Sequence, residues 1–205
     1  MGATTVPPMG MSSSAAYPAD VTFAQGSLER SRLTTFFRFL MAIPNIIVLS
    51  LWGIAFEVTS ILAWFAVLFT GKYPAGLYSF GVSYMRMAAD SLAYLHFITD
   101  EYPPWTGNDA KATSYPVQYS VVYSGSSNRL TVFFRIILAI PAYIFGYVVY
   151  IAAAVVALLC WFAILFTGKI PAGMLSFLQG AVRTYMRVLT YYFFMSDQYP
   201  PFSLS

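Results

Sequence analysis

Five ionisable residues interrupt otherwise apolar stretches of the sequence and are its first candidates for chemistry. A charge in a membrane or a protein core is costly, so it pairs with another charge, binds an anion or lines a pathway. We interpret the five as an intramembrane charge network, which is either structural or in contact with a lipid, an anion or a partner protein. They are Glu57, Arg86, Asp90, Arg183 and Arg187.

The positions of these residues predict particular pairs. Glu57 precedes a Gly-Lys-Tyr-Pro turn by about as many residues as Arg86 follows it, which places the two at equal depth in an antiparallel hairpin. We therefore expect a Glu57–Arg86 pair. Asp90 is expected to reach Arg187, which leaves Arg183 without an acidic partner in the chain. Arg183 would then bind a lipid phosphate, a backbone carbonyl, an anionic substrate or another subunit.

Residue types that support catalysis or hold a cofactor are scarce. His96 is the single histidine, so bis-histidine haem ligation is excluded, and no His-Glu-x-x-His pattern is present. Cys160 is the single cysteine and lies in an apolar run, so it forms no internal disulfide and has no nearby residues to share a metal. Phosphate-binding glycine loops and Ser-His-Asp arrangements are missing as well. We expect no enzymatic activity, no cofactor and no metal site.

The composition places most of the protein surface in lipid. The chain has 205 residues, of which 59% are hydrophobic and 9% charged, and its formal net charge is +3. A soluble domain carries about 25% charged residues. The basic excess is small and unclustered, which argues against a nucleic-acid partner.

The sequence contains two tandem copies of one unit. RLTTFFRFLMAIP, starting at Arg32, returns as RLTVFFRIILAIP at Arg129, and WFAVLFTGKYPAG at Trp64 returns as WFAILFTGKIPAG at Trp161. TDEYPPW returns as SDQYPPF at the same shift of about 97 residues. We divide the chain into a flexible N-terminal tail (1–16), a first repeat (17–106), a linker (107–114) and a second repeat (115–205).

The motifs RLTxFFR, WFAxLFTGKxPAG and DxYPPF resemble those of the bacterial membrane family known as domain of unknown function 4389. The resemblance covers both repeats, and so nearly everything after the N-terminal tail. It implies an integral membrane protein with several helices and with no assigned activity, cofactor or catalytic residue. No functional residue is carried over from it.

Each repeat is expected to begin with a short extended strand and an amphipathic helix. The strands fall within residues 17–24 and 115–123, the second of which alternates apolar and polar residues. Ser31 and Asn128 then stand at the N-cap positions of equivalent helices.

The amphipathic helices carry one arginine each, Arg38 and Arg135, which lie off the apolar face. We interpret these helices as lying in the membrane interface, with their arginines facing the headgroups. The alternative is a helix of soluble type that packs on the strands.

A transmembrane hairpin is expected to follow each amphipathic helix. Pro44 and Pro141 bend the chain into the membrane, and each following apolar stretch is long enough to cross about 30 Å of hydrocarbon. The second helix of the first hairpin carries Arg86 and Asp90, which cost about 5–7 kcal/mol near a bilayer centre. It spans only if a neighbour shelters these charges; otherwise it lies flat.

The sequence thus predicts an all-α membrane protein with four transmembrane helices. They form two parallel-repeat hairpins related by an axis along the membrane normal, each preceded by an interfacial amphipathic helix and a short strand. Most arginines fall on the side of the chain termini, so the positive-inside rule places both termini in the cytoplasm. We expect a multi-pass protein of the bacterial cytoplasmic (inner) membrane.

Two functions are compatible with this architecture. The first is a non-catalytic membrane scaffold or accessory subunit of a larger bacterial membrane complex, because the loops are too small to house catalysis. The alternative is a protein that binds or transports a lipid or a small anion through its paired intramembrane arginines, Arg86 and Arg183. The expected partners are membrane lipids and other membrane subunits, or further copies of the same chain.

Overall fold

The computed structural model describes residues 17–24, 26–107, 114–123 and 126–204. The expected tail, residues 1–16, and most of the expected linker lie outside the described residues. The elements in chain order are β1 (Ala19–Phe23), α1 (Arg32–Thr70), α2 (Ala75–Leu95), β2 (Val117–Val121), α3 (Arg129–Thr167) and α4 (Ala172–Tyr192). The chain is therefore mostly helical, with two long helices, two shorter ones and a short sheet.

The two long helices begin and end as their sequences predict. The Ser31 side chain accepts a hydrogen bond from the Thr34 amide at the start of α1, and Asn128 caps α3 in the same way. Gly71 and Gly168 end these helices in the left-handed conformation, each with a φ of 74°. Glycine adopts this conformation without the steric penalty that a Cβ brings.

The expected break at the prolines is wrong, because Pro44 and Pro141 lie inside continuous helices of 39 residues. A proline removes one backbone hydrogen bond and costs about 3 kcal/mol in a helix interior. Ending the helix there would leave several backbone groups without partners among apolar residues, which costs more. The separate interfacial helices are therefore the first turns of α1 and α3.

The two strands pair with each other as an antiparallel sheet. Val21 lies opposite Tyr119, its counterpart in the second repeat, so the sheet is symmetric about this pair. Inward residues alternate with outward ones, and Val21 and Tyr119 are both buried. The extended segments expected from the sequence are confirmed, and the structure adds that they pair across the two repeats.

Each repeat contributes its strand to the other repeat. The strand β1 packs on α4, and β2 packs on α2. The segments that lead into the long helices are exchanged in the same way: the Arg30 amide donates to the Gly168 oxygen at 2.9 Å, and the Ser127 amide donates to the Gly71 oxygen at 2.9 Å. The start of each repeat is thus bound to the turn of the other.

The long helices α1 and α3 run antiparallel. Near the end of α1, the Trp64 indole donates to the Val132 oxygen near the start of α3, over 3.3 Å. Near the end of α3, the Trp161 indole donates to the Thr35 oxygen near the start of α1, over 3.2 Å. The predicted parallel repeat is therefore wrong: the pseudo-twofold axis lies across the long helices, because the chain after α2 returns along its length before α3 begins.

The elements form three layers. Tyr84 and Ser91 of α2 contact Phe56 and Asn45 of α1, whereas Arg86 of α2 contacts β2. Residues two positions apart in a helix are separated by about 200° of rotation, so Tyr84 and Arg86 point to opposite sides of α2. The pair α1/α3 forms one outer layer, α2/α4 the middle layer, and the sheet the other outer layer.

Candidate functional site

The most deeply buried charges are Arg38 and Arg135, whose side chains are 0% exposed. Both were expected at the membrane interface; the structure places them inside the protein instead. The apolar face beside Arg38 is the exposed one, with Leu33 70% and Leu40 64% exposed. The arginine side of α1 therefore packs towards the end of α2, where a carboxylate and two backbone carbonyls accept hydrogen bonds from the guanidinium.

Each buried arginine joins the start of a long helix to the end of the following short helix. Arg38 donates to the backbone oxygens of Tyr94 and Thr99 and forms an ion pair with Asp100. The other oxygen of the Asp100 carboxylate accepts the Ser31 amide at 2.8 Å. Arg38 also lies over the Phe97 ring, 4.6 Å from its centroid.

The second repeat reproduces this arrangement. Arg135 donates to the Ser196 oxygen at 3.0 Å, forms an ion pair with Asp197, and lies 5.0 Å from the centroid of the Tyr191 ring. Phe194 has a positive φ of 62°, as Phe97 has at 60°. The same uncommon backbone conformation thus recurs in both repeats, a few residues before the aspartate that pairs with the buried arginine.

Arg86 and Arg183 occupy equivalent positions in α2 and α4 and hold the exchanged strands. The Nε of Arg86 donates to the Tyr119 oxygen at 3.4 Å, and the Nε of Arg183 donates to the Val21 oxygen at 3.1 Å. These two oxygens belong to the residues at the centre of the sheet. Each guanidinium therefore fixes the strand of the other repeat to its own short helix.

Asp20 of β1 is the acidic partner of the second-repeat arginines. One carboxylate oxygen lies 3.1 Å from the Nε of Arg183 and 3.1 Å from the Nη2 of Arg187. The expectation that Arg183 lacks a partner is wrong, because the strand of the first repeat brings Asp20 to it. Arg187 also forms an ion pair with Asp20, and the expected Asp90–Arg187 contact stays a prediction.

Asp90 lies buried in α2, with 2% of its surface exposed. Its neighbour is Tyr115, which precedes β2. Burial raises the pKa of the Tyr115 hydroxyl, and the negative charge of Asp90 raises this pKa further. Tyr17 holds the equivalent position before β1, where burial raises its pKa to about 12, and its ring lies near Arg187. Each tyrosine thus lies beside the residue at which the two repeats differ in charge.

Glu57 lies apart from these contacts. Its side chain is exposed on α1, and it lines a groove of about 590 Å³ together with Tyr84, Tyr143 and Tyr185. The expected Glu57–Arg86 pair is wrong, and no ion pair between described residues includes Glu57. The prediction placed Glu57 and Arg86 at equal depth along the hairpin. However, Arg86 points from α2 towards the sheet, whereas Glu57 lies on the other side of that helix.

Metal-binding and nucleophilic groups are not gathered anywhere in the described ranges. Within them, no three His, Cys, Asp or Glu residues lie close enough together to hold a metal ion. Cys160 is buried, with its sulfur 3.6 Å from the Met174 sulfur. The His96 ring nitrogen Nδ1 lies 2.8 Å from the Leu92 oxygen, and the ring packs edge-on against Tyr150.

Three carboxylates that pair with arginines in the structure were not among the predicted site residues. Asp100 and Asp197 lie in the repeated segments TDEYPPW and SDQYPPF, and each follows its arginine at the same separation of 62 residues. The recurrence of both opposite charges in both repeats is the signal that could have pointed to the two pairs. Asp20 offered no such signal, since Gln118 occupies its place in the second repeat and the strand exchange is not visible in the sequence.

The sequence matches the family model described as "Domain of unknown function (DUF4389)" twice, over residues 32–106 and 129–203. No curated protein and no solved structure matches the chain. Both matched stretches begin at a long helix and extend beyond the Asp that pairs with its buried arginine.

Proposed function

The chain belongs to the DUF4389 family and carries two tandem copies of its domain, whose function is unknown. We therefore propose a function from the geometry of the protein. The protein is a non-catalytic scaffold or accessory subunit embedded in the bacterial cytoplasmic membrane. Its two equally spaced Arg–Asp ion pairs close the two hairpins, and its apolar surface contacts lipids and the membrane segments of partner proteins.

The exposed apolar surface of α1 and α3 carries this proposal. Both helices are long and apolar enough to cross a membrane by length and composition. Large apolar side chains are exposed from Leu33 to Phe69 on α1 and from Leu130 to Phe166 on α3. Soluble monomers rarely expose contiguous apolar patches above about 600 Å². A surface of this kind needs lipid or a partner protein to cover it.

The roles of the charged residues support a structural function over a catalytic one. Arg38 and Arg135 close the two hairpins, and Arg86 and Arg183 hold the exchanged strands. Each of these guanidinium groups already binds a backbone oxygen or a carboxylate. These contacts give each of the four arginines a role in holding the fold together.

The alternative function, binding of a lipid or a small anion by Arg86 and Arg183, has weaker support for the same reason. An anion at Arg183 would lie beside the Asp20 carboxylate, which already forms an ion pair with this guanidinium. Burying a second anion beside Asp20 also brings like charges together, which is unfavourable.

Fractionation and mild extraction test the proposed function. The full chain should remain in the membrane pellet after alkaline carbonate washing, and a gentle detergent should release it together with specific membrane proteins or as a homo-oligomer. Recovery in the soluble fraction would overturn membrane embedding. Release as a solitary monomer, with chemical cross-linking in intact membranes also yielding no adduct, would overturn the scaffold role. The double variant Arg86→Gln/Arg183→Gln serves as the comparison: loss of a co-purified anionic lipid from a still-folded variant would favour the alternative.

A further inference from the structure

The apolar surface of the long helices is too long for an upright membrane span. A helix of 39 residues is about 58 Å long, whereas the hydrocarbon core is about 30 Å thick. Exposed apolar residues reach both ends of each helix: Leu33 is 70% and Phe69 76% exposed on α1, and Leu130 is 68% and Phe166 78% exposed on α3. An upright placement would leave these helix ends in the headgroups and in water.

The connections between the elements also conflict with an upright placement. Asp100 accepts the Ser31 amide at the start of α1, and Ser127 donates to the Gly71 oxygen at the end of α1. The chain between Asp100 and Ser127 therefore covers the length of α1 outside the long helices, with β2 on its way. Upright helices would place β2 and the edges of a two-stranded sheet at hydrocarbon depth, where backbone groups without a hydrogen-bond partner cost several kcal/mol each.

The two outer layers of the protein differ sharply in polarity. The outward residues of the sheet include Asp20, Thr22 and Ser120, and the arginines Arg183 and Arg187 reach this side to bind Asp20. The opposite outer layer, α1/α3, carries the exposed apolar residues. A slab that is polar on one broad face and apolar on the other fits the boundary between water and lipid.

From these relationships we propose that the protein is monotopic: α1 and α3 lie side by side and flat within one leaflet, and the sheet faces water on the same side of the membrane. This inference rests on the membrane embedding proposed above and specifies how it is achieved. The surface that it assigns to lipid is the α1/α3 layer, and its partner is the acyl-chain region of a single leaflet. The antiparallel α1/α3 pair then presents its whole length at one depth.

The turns after the long helices distinguish this placement from a spanning one. Lys72 follows α1 and Lys169 follows α3, and because these helices are antiparallel the two lysines lie at opposite ends of the layer. Single cysteines are introduced as Lys72→Cys and Lys169→Cys in a Cys160→Ala background. Sealed, oriented membrane vesicles are then treated with a membrane-impermeant maleimide.

A flat placement predicts that both cysteines react from the same side of the membrane. Spanning antiparallel helices predict reaction from opposite sides of the membrane, and that result would overturn the proposal. The same result is expected if the protein stands upright and a second copy covers its sheet, so the experiment excludes that arrangement as well. Carbonate washing of the same vesicles separates the two proposals, because loss of the chain from the membrane overturns the membrane embedding itself, whereas opposite-side labelling overturns only the flat placement.

Depth measurements give an independent check. A fluorophore is attached at Leu51→Cys, in the middle of α1, or at Phe69→Cys, near its end, in vesicles that contain brominated phosphatidylcholine. Flat helices predict matching quenching profiles at the two sites. Upright helices would separate them by about 27 Å along the membrane normal, and profiles that differ by such a depth would overturn the proposal.

Discussion

The Trp161 indole donates a hydrogen bond to the backbone oxygen of Thr35, over 3.2 Å, and so joins the end of α3 to the beginning of α1. The equivalent bond from Trp64 to Val132 joins the other two ends. Two such bonds, one at each end, determine that the long helices run antiparallel along their whole length. This relationship places the exposed apolar residues of both helices on one broad face of the protein.

Loss of either partner in the Arg38–Asp100 pair should destabilise the protein strongly. Replacement by Arg38→Leu leaves Asp100 without its guanidinium and the Thr99 oxygen without a donor. Breaking a buried ion pair costs about 3–5 kcal/mol. We expect a large drop in the thermal unfolding midpoint in detergent micelles, measured by circular dichroism.

The second repeat and an exposed lysine supply the controls for that experiment. Arg135→Leu should behave like Arg38→Leu, because it breaks the equivalent pair with Asp197. Lys72→Gln removes an exposed cation and should change the midpoint little. If Arg38→Leu unfolds no earlier than Lys72→Gln, the buried pair does not hold the hairpin together.

The two strand-binding arginines should differ in their contribution to stability. Arg183→Gln removes an ion pair with Asp20 in addition to the hydrogen bond to Val21, whereas Arg86→Gln removes the hydrogen bond to Tyr119. Because Asp20 is partly exposed to solvent, we expect an excess loss of about 1 kcal/mol for Arg183→Gln. The free energy of unfolding, from denaturant titration in micelles, measures it.

The cause of that difference is tested with Asp20→Asn. In this background the excess loss for Arg183→Gln over Arg86→Gln should disappear, because the carboxylate that produces it is gone. An unchanged excess would mean that Asp20 does not stabilise α4 through Arg183.

Acid should destabilise the fold through His96. Burial lowers the pKa of the His96 imidazole below its ordinary value of 6.5, since the folded state disfavours the charged ring. A lowered folded-state pKa means that the unfolded chain takes up the proton first as the pH falls, so stability present above the unfolded pKa is lost below it. The unfolding midpoint should therefore fall as the pH drops below 6.5, the pKa of the imidazole in the unfolded chain.

The second repeat supplies the replacement that tests this effect. Phe193 holds the place of His96 at the end of α4, so His96→Phe introduces a residue that the fold already accepts there. The acid-dependent part of the midpoint shift should shrink in His96→Phe. An equal acid shift in both proteins would assign it to the carboxylates instead.

Two glycines of the first repeat should respond in opposite ways to alanine. Gly71 has a positive φ of 74°, and a Cβ there would lie 3.3 Å from the Arg129 Nε, so Gly71→Ala should cost about 1–2 kcal/mol. Gly76 has open space around it at the start of α2, so Gly76→Ala should gain about 0.5 kcal/mol. Unfolding midpoints measure both changes, and a gain for Gly71→Ala would contradict the left-handed cap.

The local structure was predictable because it depends on short-range sequence signals. Ser31 and Asn128 begin α1 and α3 as expected, and Gly71 and Gly168, which end these helices, lie in the repeated TGKxPAG segments. The alternation in residues 117–121 identified β2. The helix breaks expected at Pro44 and Pro141 do not occur. The tendency of a helix to end before proline is a local preference, and the continuity of the apolar helix outweighs the cost of one lost hydrogen bond.

The contacts of the charged residues were predictable only in part. Helix rise places Glu57 and Arg86 at one depth, but whether they meet depends on how each helix is rotated, and Arg86 is turned towards β2. Asp20 could not be found because its partners, Arg183 and Arg187, are more than 160 residues away and belong to the other repeat.

The sequence alone determined that the chain is a tandem repeat of an apolar, mostly helical unit, because duplication and hydrophobic composition are written directly in the order of residues. The tertiary structure alone decided the direction of one repeat against the other, the exchange of their strands and the pairing of Asp20 with Arg183 and Arg187. These features depend on how the connection between Asp100 and Ser127 returns along α1, and no local signal specifies that path. The antiparallel packing of α1 and α3 also makes the face that they form apolar from end to end.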